Sequence, residues 1–163
     1  MKILLESDEI NKLKKELVKS DLHILDIIDL AFIIKRLIRD GKLNFMDLID
    51  PVPSMQWENI ARILPYLPKS ILIENLDYFL EWFMDLNWYG SRILYGYLAE
   101  MDIKLLKASF NRVLKKAIDL DDSDWVWFLM VFMKDELVDL EEFFTEEIEL
   151  GLQYLDSKGI EFD

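Results

Sequence analysis

Residues 103–118 read IKLLKASFNRVLKKAI, and this stretch decides the fold class. Its apolar residues recur every three or four positions, which places them on one face of a helix. These residues are Ile103, Leu106, Phe110, Val113, Leu114 and Ala117. The opposite face carries Lys104, Lys107, Asn111 and Lys115. The pattern predicts an amphipathic helix that buries one side.

Helices of this kind recur in pairs along the chain. Trp57, Trp88 and Trp125 stand at the start of three apolar segments, which are residues 56–67, 87–99 and 124–133. A second amphipathic stretch follows each segment, at residues 70–84, 103–118 and 138–155. The tryptophans are 31 and 37 residues apart, a spacing typical of repeats built from helical hairpins. We therefore predict an all-α fold, a right-handed α-α superhelix of three HEAT-like stacked hairpins over residues 54–163.

The first 50 residues are predicted to form a helical cap on this stack. A first helix is expected to open at Ser7 and to run to about residue 19. Ser20 and Asp21 are candidates to cap a second helix, which should end at Gly41. A further short helix is expected before the prolines at 51 and 53 break the chain. The length of 163 residues fits a single domain, residues 1–163.

The chain contains no cysteine. Disulfides, thiolate metal sites and a cysteine nucleophile are therefore excluded, and the composition fits a reducing cytoplasm. The apolar start is followed at once by Glu6, Asp8 and Glu9, so no secretory signal is predicted. The most apolar stretch, residues 22–38, contains four charged residues, which favours a buried helix over a membrane span.

The charge of the chain is unevenly distributed. Its formal net charge is −13, yet residues 1–118 carry 17 basic and 17 acidic side chains. Residues 119–163 carry 2 basic and 15 acidic side chains, so the whole excess lies there. This acidic segment is either a solvated surface that aids solubility or a docking surface for a basic partner protein. The candidate docking residues are Asp121, Asp122, Asp139, Glu142, Glu146 and Glu149.

Successive second helices lie side by side in a stack of hairpins. The basic helix at residues 103–118 is therefore predicted to lie beside the acidic helix at residues 138–155, which would neutralise part of the acid within the fold. The side of the last helix that is predicted to face inward carries Leu140, Phe144, Ile148, Leu152 and Leu155. The side that is predicted to face solvent carries Asp139, Glu142, Glu146, Glu149 and Gln153.

Two further stretches carry a resemblance to a known family. Residues 76–88 read LDYFLEWFMDLNW, and residues 120–127 read LDDSDWVW. Both resemble motifs of a bacterial family of HEAT-like helical domains, domain of unknown function 5071, and the resemblance covers about residues 63–150. The family usually has proline after the Asn-Trp pair, where this chain has Tyr89. The resemblance implies an α-superhelical fold and no particular activity.

Motifs for catalysis or metal binding are weak in this sequence. His23 is the single histidine, so a histidine zinc site cannot be assembled. Asp26 is spaced to pair with His23, but no hydroxyl or thiol nucleophile is implied beside them, so no catalytic triad is predicted. Residues 119–124 are acidic, but this stretch lacks the Gly and the Glu that a calcium-binding EF-hand loop requires. We expect Asp122 or Ser123 to cap the following helix instead.

The repeated tryptophans are more typical of packing between repeats than of a ligand cage, because each unit needs the same large residue. For Trp82 and Trp127 the sequence leaves both buried and partly exposed positions open. One dense positive cluster occurs in the C-terminal two-thirds of the chain. It consists of Lys104, Lys107, Arg112, Lys115 and Lys116. One helix face is a small footprint for phosphates, so we do not expect nucleic acid to be a partner.

The leading hypothesis is a non-enzymatic protein-interaction module with an acidic C-terminal docking surface. A concrete form is an immunity or antitoxin-like protein that blocks a basic nuclease. The alternative is a hydrolase or glycosylase-like enzyme on the same scaffold, with Asp and Glu as acid and base. No catalytic, cofactor-binding or metal-binding residue is assigned, since no carboxylate stands out from the others. The apolar, aromatic-rich composition is also compatible with a homodimer.

Overall fold

The computed structural model describes residues 2–163, with side chains from residue 8 onward. The helices are α1 (Lys2–Leu17), α2 (Ile24–Arg39), α3 (Phe45–Leu48), α4 (Met55–Ile63), α5 (Lys69–Glu74), α6 (Leu76–Phe79), α7 (Ser91–Ala99), α8 (Ile103–Asp119), α9 (Ser123–Met133) and α10 (Thr145–Ser157). Three 3-10 segments cover Leu64–Tyr66, Leu80–Met84 and Glu141–Phe144. No strand occurs among the described residues, so the predicted all-α fold is confirmed. Over the same residues, every helix falls short of the length and apolar content needed to cross a membrane.

The chain divides into two compact units. The N-terminal unit comprises the residues up to Ile71 together with Trp88–Leu94, and the C-terminal unit comprises Leu72–Asn87 and Tyr95–Asp163. The N-terminal unit carries 12 basic and 11 acidic side chains, whereas the C-terminal unit carries 7 basic and 21 acidic side chains. All six candidate docking residues therefore belong to the strongly acidic unit.

The core of the N-terminal unit lies where α4 packs against α1 and α2. Leu17, Ile27 and Ile60 are fully buried there. The side-chain amide of Asn59, itself buried, donates to the carbonyl oxygens of Leu17 and Lys19, each at 2.8 Å. Carbonyl groups at the end of a helix have no partner within that helix, so Asn59 satisfies them and fastens the end of α1 to α4.

Two predicted helix starts in this unit are wrong. The first helix begins at Lys2 rather than at Ser7, because no glycine or proline precedes Ser7 to stop it, and the side chain of Ser7 lies outside the described side chains. The N-cap of α2 is His23 rather than Ser20 or Asp21, because the preceding residues form the connection from α1. The backbone N–H of His23 donates to the Asp26 carboxylate at 2.9 Å, which is one half of a capping box.

The predicted ends of these N-terminal elements are confirmed. Gly41 follows α2 with a φ of +70°, and the N–H of Lys42 donates to the carbonyl oxygen of Leu37 at 2.8 Å. This is the pattern of a Schellman motif, in which glycine takes the left-handed position without strain. The short helix α3 lies before the prolines, and residues 49–54 are not helical.

Aromatic rings from several elements form the core of the C-terminal unit. Phe110 of α8 stacks on Phe132 of α9 with a centroid separation of 4.8 Å, and Phe144 lies 5.2 Å from Phe110. Phe83 lies 5.9 Å from Phe132. Such pairs stabilise a core beyond the area that they bury, by about 0.5–1.5 kcal/mol each. They lock α8, α9 and the segment before α10 into one body.

Three of the predicted elements in residues 70–155 are shorter or broken. The helix expected over residues 70–84 is interrupted at Asn75, whose ψ of 18° is not helical, and it continues as α6 and a 3-10 segment. The helix α7 begins at Ser91 rather than at residue 87, because Gly90 before it has a φ of +80°. The last helix begins at Thr145, after Asp139 takes a φ of +56°. The interruption and the two displaced starts each coincide with backbone that is not α-helical.

The arrangement of the second helices agrees with the prediction. In the C-terminal unit α8 contacts α6 on one side and α10 on the other. The extents of α8 and α9 also match the predicted segments closely. The predicted neighbourhood of the basic helix and the acidic helix is therefore confirmed.

Candidate functional site

An open groove runs along α10 and the residues before it, with a volume of about 690 Å³. We call it the acidic groove. Its principal lining residues are Asp139, Glu141, Glu142, Ile148, Glu149 and Leu152. Four carboxylates thus surround two aliphatic side chains. The structure brings three of the six candidate docking residues to this one place.

Local backbone geometry sets the rim of the acidic groove. Asp139 adopts a left-handed conformation, which ends the preceding turn and starts the chain toward the 3-10 segment Glu141–Phe144. The hydroxyl of Thr145 donates to the carbonyl oxygen of Glu142 at 3.0 Å, where the 3-10 segment passes into α10. Glu149 follows Thr145 by four positions and therefore lies on the same helix face.

The floor of the acidic groove is more apolar than the sequence predicted. Leu152 was expected to face the core, but it is 36% exposed. The buried side of α10 instead contains Gly151. A Cβ added at Gly151 would lie 2.4 Å from the sulfur of Met130. Because Met130 occupies that space, α10 rests on Ile148, Gly151 and Leu155, and Leu152 is left in the groove.

Glu147 is the charged residue that the sequence analysis missed. Its side chain is fully buried, and it forms an ion pair with Lys107 of α8 at 2.6 Å. The side-chain amide of Asn111 donates to the same carboxylate at 3.4 Å. Lys107 and Asn111 had been placed on the solvent face of α8, whereas they point to α10. The sequence pattern could have predicted this contact, because a basic helix that lies beside an acidic helix is expected to form an ion pair with it.

Two candidate docking residues serve the fold instead of the groove. Asp121 accepts hydrogen bonds from Lys158, at 2.9 Å, and from the hydroxyl of Tyr154, at 2.6 Å. These bonds lower the pKa of the Asp121 carboxyl below its ordinary value, the bond from Lys158 having the larger effect. Asp122 accepts a hydrogen bond from the backbone N–H of Trp125 at 3.0 Å. It is the N-cap of α9, so the expected capping role is confirmed.

Glu146 lies on α10 as an exposed residue and is not among the residues that line the acidic groove. None of the ion pairs between described side chains includes Asp139, Glu142 or Glu149. Among the described residues, no cluster of histidine or carboxylate side chains has the arrangement of a metal site. The carboxylates of the groove are therefore spread along its rim and face solvent.

The positive cluster on α8 is largely neutralised by the fold. Arg112 binds both carboxylate oxygens of Asp77, at 2.9 and 3.0 Å, and this bond lowers the pKa of Asp77. Lys116 lies 3.5 Å from Glu81, and Lys107 is held by Glu147 as described. A nucleic-acid phosphate would have to compete with these carboxylates for the same side chains. Because few cations remain available, its binding would also release few counterions, and this would lower its affinity.

The remaining candidates have structural positions. The indole N–H groups of Trp57 and Trp125 donate to backbone carbonyl oxygens at 2.8 and 2.9 Å, and both rings are buried, so the expected core role is confirmed for these two. Trp88 is half-buried and packs edge to face on Trp57 with a centroid separation of 6.0 Å. Trp82 is fully buried, whereas Trp127 is half-buried and packs edge to face on Phe162 with a centroid separation of 4.6 Å. His23 is exposed at the start of α2 rather than on a buried helix face.

Comparison with known proteins identifies no relative of this chain. No family model matches the chain, and no curated protein or solved structure shows significant similarity to it. The resemblance to domain of unknown function 5071 therefore stays a prediction. The geometry of the acidic groove is the observation from which a function can be argued.

Proposed function

We propose that this protein is a non-enzymatic interaction module whose acidic groove binds a basic, amphipathic segment of a partner protein. The observation that carries the proposal is the combination of rim and floor. Asp139, Glu142 and Glu149 supply negative charge around Leu152, which is exposed and apolar. A partner segment with lysine or arginine beside an aliphatic side chain complements both parts of this surface.

Electrostatics favours encounter with such a partner. The C-terminal unit carries 21 acidic and 7 basic side chains, and a field of one sign steers oppositely charged molecules toward it. Rim charges chiefly set the association rate and its salt dependence, while the apolar floor excludes water from the contact. Binding through the groove should therefore weaken as salt is added, yet it should not vanish.

The fold that we propose around this surface is a stack of HEAT-like hairpins. Support comes from the C-terminal unit, where α6, α8 and α10 follow one another as neighbours, as successive second helices do in a solenoid. Solenoids commonly present extended binding surfaces. An immunity or antitoxin-like protein that blocks a basic nuclease in a reducing cytoplasm is a concrete form of this proposal, and the absence of cysteine agrees with that compartment.

The test uses two labelled peptides of leucine and lysine with the same composition. One has the helical amphipathic order, and the other is scrambled so that no apolar face forms. Fluorescence anisotropy compares the wild type with Glu142→Gln/Glu149→Gln and with the matched control Glu100→Gln/Glu136→Gln, which removes two exposed acids outside the groove. Loss of two rim charges should weaken binding of the amphipathic peptide about tenfold, at about 0.5–1 kcal/mol for each charge.

The control variant should retain at least half of the wild-type affinity. Leu152→Ser should weaken the amphipathic peptide and leave the scrambled peptide unchanged. Equal losses in the groove variant and the control would show that net charge alone attracts the peptide, and this would overturn the proposal. Failure of the amphipathic peptide to bind better than the scrambled one would overturn it as well.

A further inference from the structure

A second groove continues the acidic groove along α10. It has a volume of about 610 Å³ and is open to solvent. Leu152 and Gln153 line both grooves, so the two meet on the exposed face of the helix. The other residues that line it are Asp156, Ile160, Glu161, Phe162 and Asp163. We call it the second groove.

The chain turns back after α10 and forms one wall of the second groove. The helix ends at Ser157, and Gly159 takes a φ of +72°. The N–H of Ile160 donates to the carbonyl oxygen of Leu155 at 2.9 Å, so the left-handed glycine closes the helix in a Schellman motif. Residues 160–163 then line the second groove.

Phe162 anchors this wall to the end of α9. Its ring packs edge to face on Trp127 with a centroid separation of 4.6 Å, and the ammonium of Lys134 lies 5.4 Å from its centroid. An edge-to-face contact and a cation over a ring each favour a particular position of the ring. Phe162 therefore holds its neighbours Glu161 and Asp163 beside α10.

The two grooves place carboxylates on both sides of an uncharged middle. Glu149, Leu152 and Asp156 follow one another at intervals of three and four positions, so they lie on one face of α10. The two carboxylates of this set are about 10 Å apart along the helix axis, with Leu152 between them. Asp156, Glu161 and Asp163 are exposed, and none of the ion pairs between described side chains includes them.

The nearby cations are held at other places. Lys158 donates to the carboxylate of Asp121, which lines neither groove, and Lys134 lies over the Phe162 ring. Lysine and arginine are absent from the described residues that line the two grooves. A partner must therefore supply the positive charge that complements both groups of carboxylates.

We infer that the two grooves form one docking surface, and that it fits a helix with two clusters of lysine or arginine about two turns apart. The inference rests on the proposed function, because the acidic groove is one half of the surface. One basic cluster would meet the rim of the acidic groove, and the other would meet Asp156, Glu161 and Asp163. An apolar side chain between the two clusters would cover Leu152, since positions at intervals of three and four share one helix face.

The apolar part of the surface favours a protein segment over a free metal ion. A metal ion would meet the carboxylates but would leave Ile148, Leu152 and Ile160 in contact with water. A helix that carries both lysine and leucine covers the two kinds of side chain. Since α10 has 13 residues and is about 20 Å long, a partner helix of about four turns is sufficient.

Two labelled helical peptides of about five turns test the inference. Both have the same composition of leucine, lysine and alanine, and both have an apolar face. The two-cluster peptide carries its lysines in two groups about seven residues apart, whereas the one-cluster peptide carries all of them at one end. Fluorescence anisotropy should show that the wild type binds the two-cluster peptide about fivefold more tightly than the one-cluster peptide.

Variants of the second groove should remove this preference. Asp156→Asn/Glu161→Gln removes two of its charges, whereas the matched control Glu100→Gln/Glu136→Gln removes two exposed acids elsewhere and should keep the preference. The affinity for the one-cluster peptide should change by less than about twofold in both variants. Circular dichroism confirms that each variant is folded.

Phe162 is tested as a positioning residue. Phe162→Ser leaves every charge in place but removes the anchor of the wall, so it should also abolish the preference for the two-cluster peptide. Phe162→Tyr keeps the ring and should retain the preference. Leu137→Ser, at a site that is 97% exposed in the same unit, serves as the control for loss of an apolar side chain and should retain it too.

The outcomes distinguish this inference from the proposed function. Equal binding of the two peptides by the wild type would overturn the inference and leave binding at the acidic groove intact. A preference that survives Asp156→Asn/Glu161→Gln or Phe162→Ser would overturn it as well, and so would an equal loss of both peptides in either variant. Failure of the wild type to bind either peptide would overturn the proposed function and the inference with it.

Discussion

The ion pair between Lys107 and Glu147 makes a sharp prediction about stability. Lys107→Met removes the cation and leaves the Glu147 carboxylate fully buried, with Asn111 at 3.4 Å as its remaining side-chain contact. Breaking a buried pair in this way commonly costs about 3–5 kcal/mol. Since the Lys107 side chain is 40% exposed, water screens part of this interaction, and we expect a loss of about 2–3 kcal/mol.

A double-mutant cycle separates the ion pair from simple packing. Glu147→Leu also leaves a charge without its partner, but Lys107 can turn its ammonium toward solvent. This change should therefore lower the free energy of unfolding by less than about 1.5 kcal/mol. Lys107→Met/Glu147→Leu replaces the pair by apolar side chains of similar size and should lie within about 1 kcal/mol of the wild type. Urea denaturation followed by circular dichroism measures all four free energies of unfolding. Single losses that simply add in the double variant would refute the reasoning, because they would mean that the two residues do not interact.

Three further changes test the packing and the surface pairs. Gly90→Ala should cost about 2–3 kcal/mol in thermal unfolding, because its φ is +80° and its Cβ would lie 2.5 Å from the carbonyl oxygen of Trp57. Trp125→Phe should cost about 2–3 kcal/mol, since a buried carbonyl group loses its indole donor and a cavity remains. Asp77→Asn should cost less than about 1 kcal/mol at pH 7, because the pair with Arg112 is half-exposed. The folded-state pKa of Asp77 is lowered, so its contribution is present above the unfolded pKa and is lost as pH falls through the folded pKa. Urea titrations at neutral pH and at successively more acidic pH should show the difference shrink as the pH falls.

The helical class and the central helices could be predicted from the sequence because their patterns are strong. The apolar stripe from Leu106 to Ala117 is long and regular, and the structure buries it as expected. Asp122 and Ser123 were the two cap candidates because a short side-chain acceptor precedes an apolar run, and the structure selects Asp122. In these cases the local preference and the tertiary packing agree.

The errors arise where tertiary contacts outweigh local preference. Nothing near Leu152 in the sequence indicates that Met130 will occupy the space beside Gly151 and so determine which face of α10 is buried. Gly90 is similar, because the backbone of Trp57, which lies far away in the sequence, occupies the space that a Cβ at this position would need. A hydrophobic pattern predicts the buried face of a helix from the residues of that helix alone. In the folded chain, the neighbouring side chain that fills the adjacent space determines which face is buried.

The same argument explains why the rim of the acidic groove keeps its negative charge. Opposite charges within reach neutralise some of its acids, as Lys158 does for Asp121 and Lys107 does for Glu147. Basic residues of α8 reach the first positions of α10 but pair with Glu147, which points inward, and not with the rim of the acidic groove. None of the ion pairs between described side chains includes the rim carboxylates Asp139, Glu142 and Glu149. An external cation is attracted most strongly to such a place, since additional negative charge there has no internal counterion to offset it.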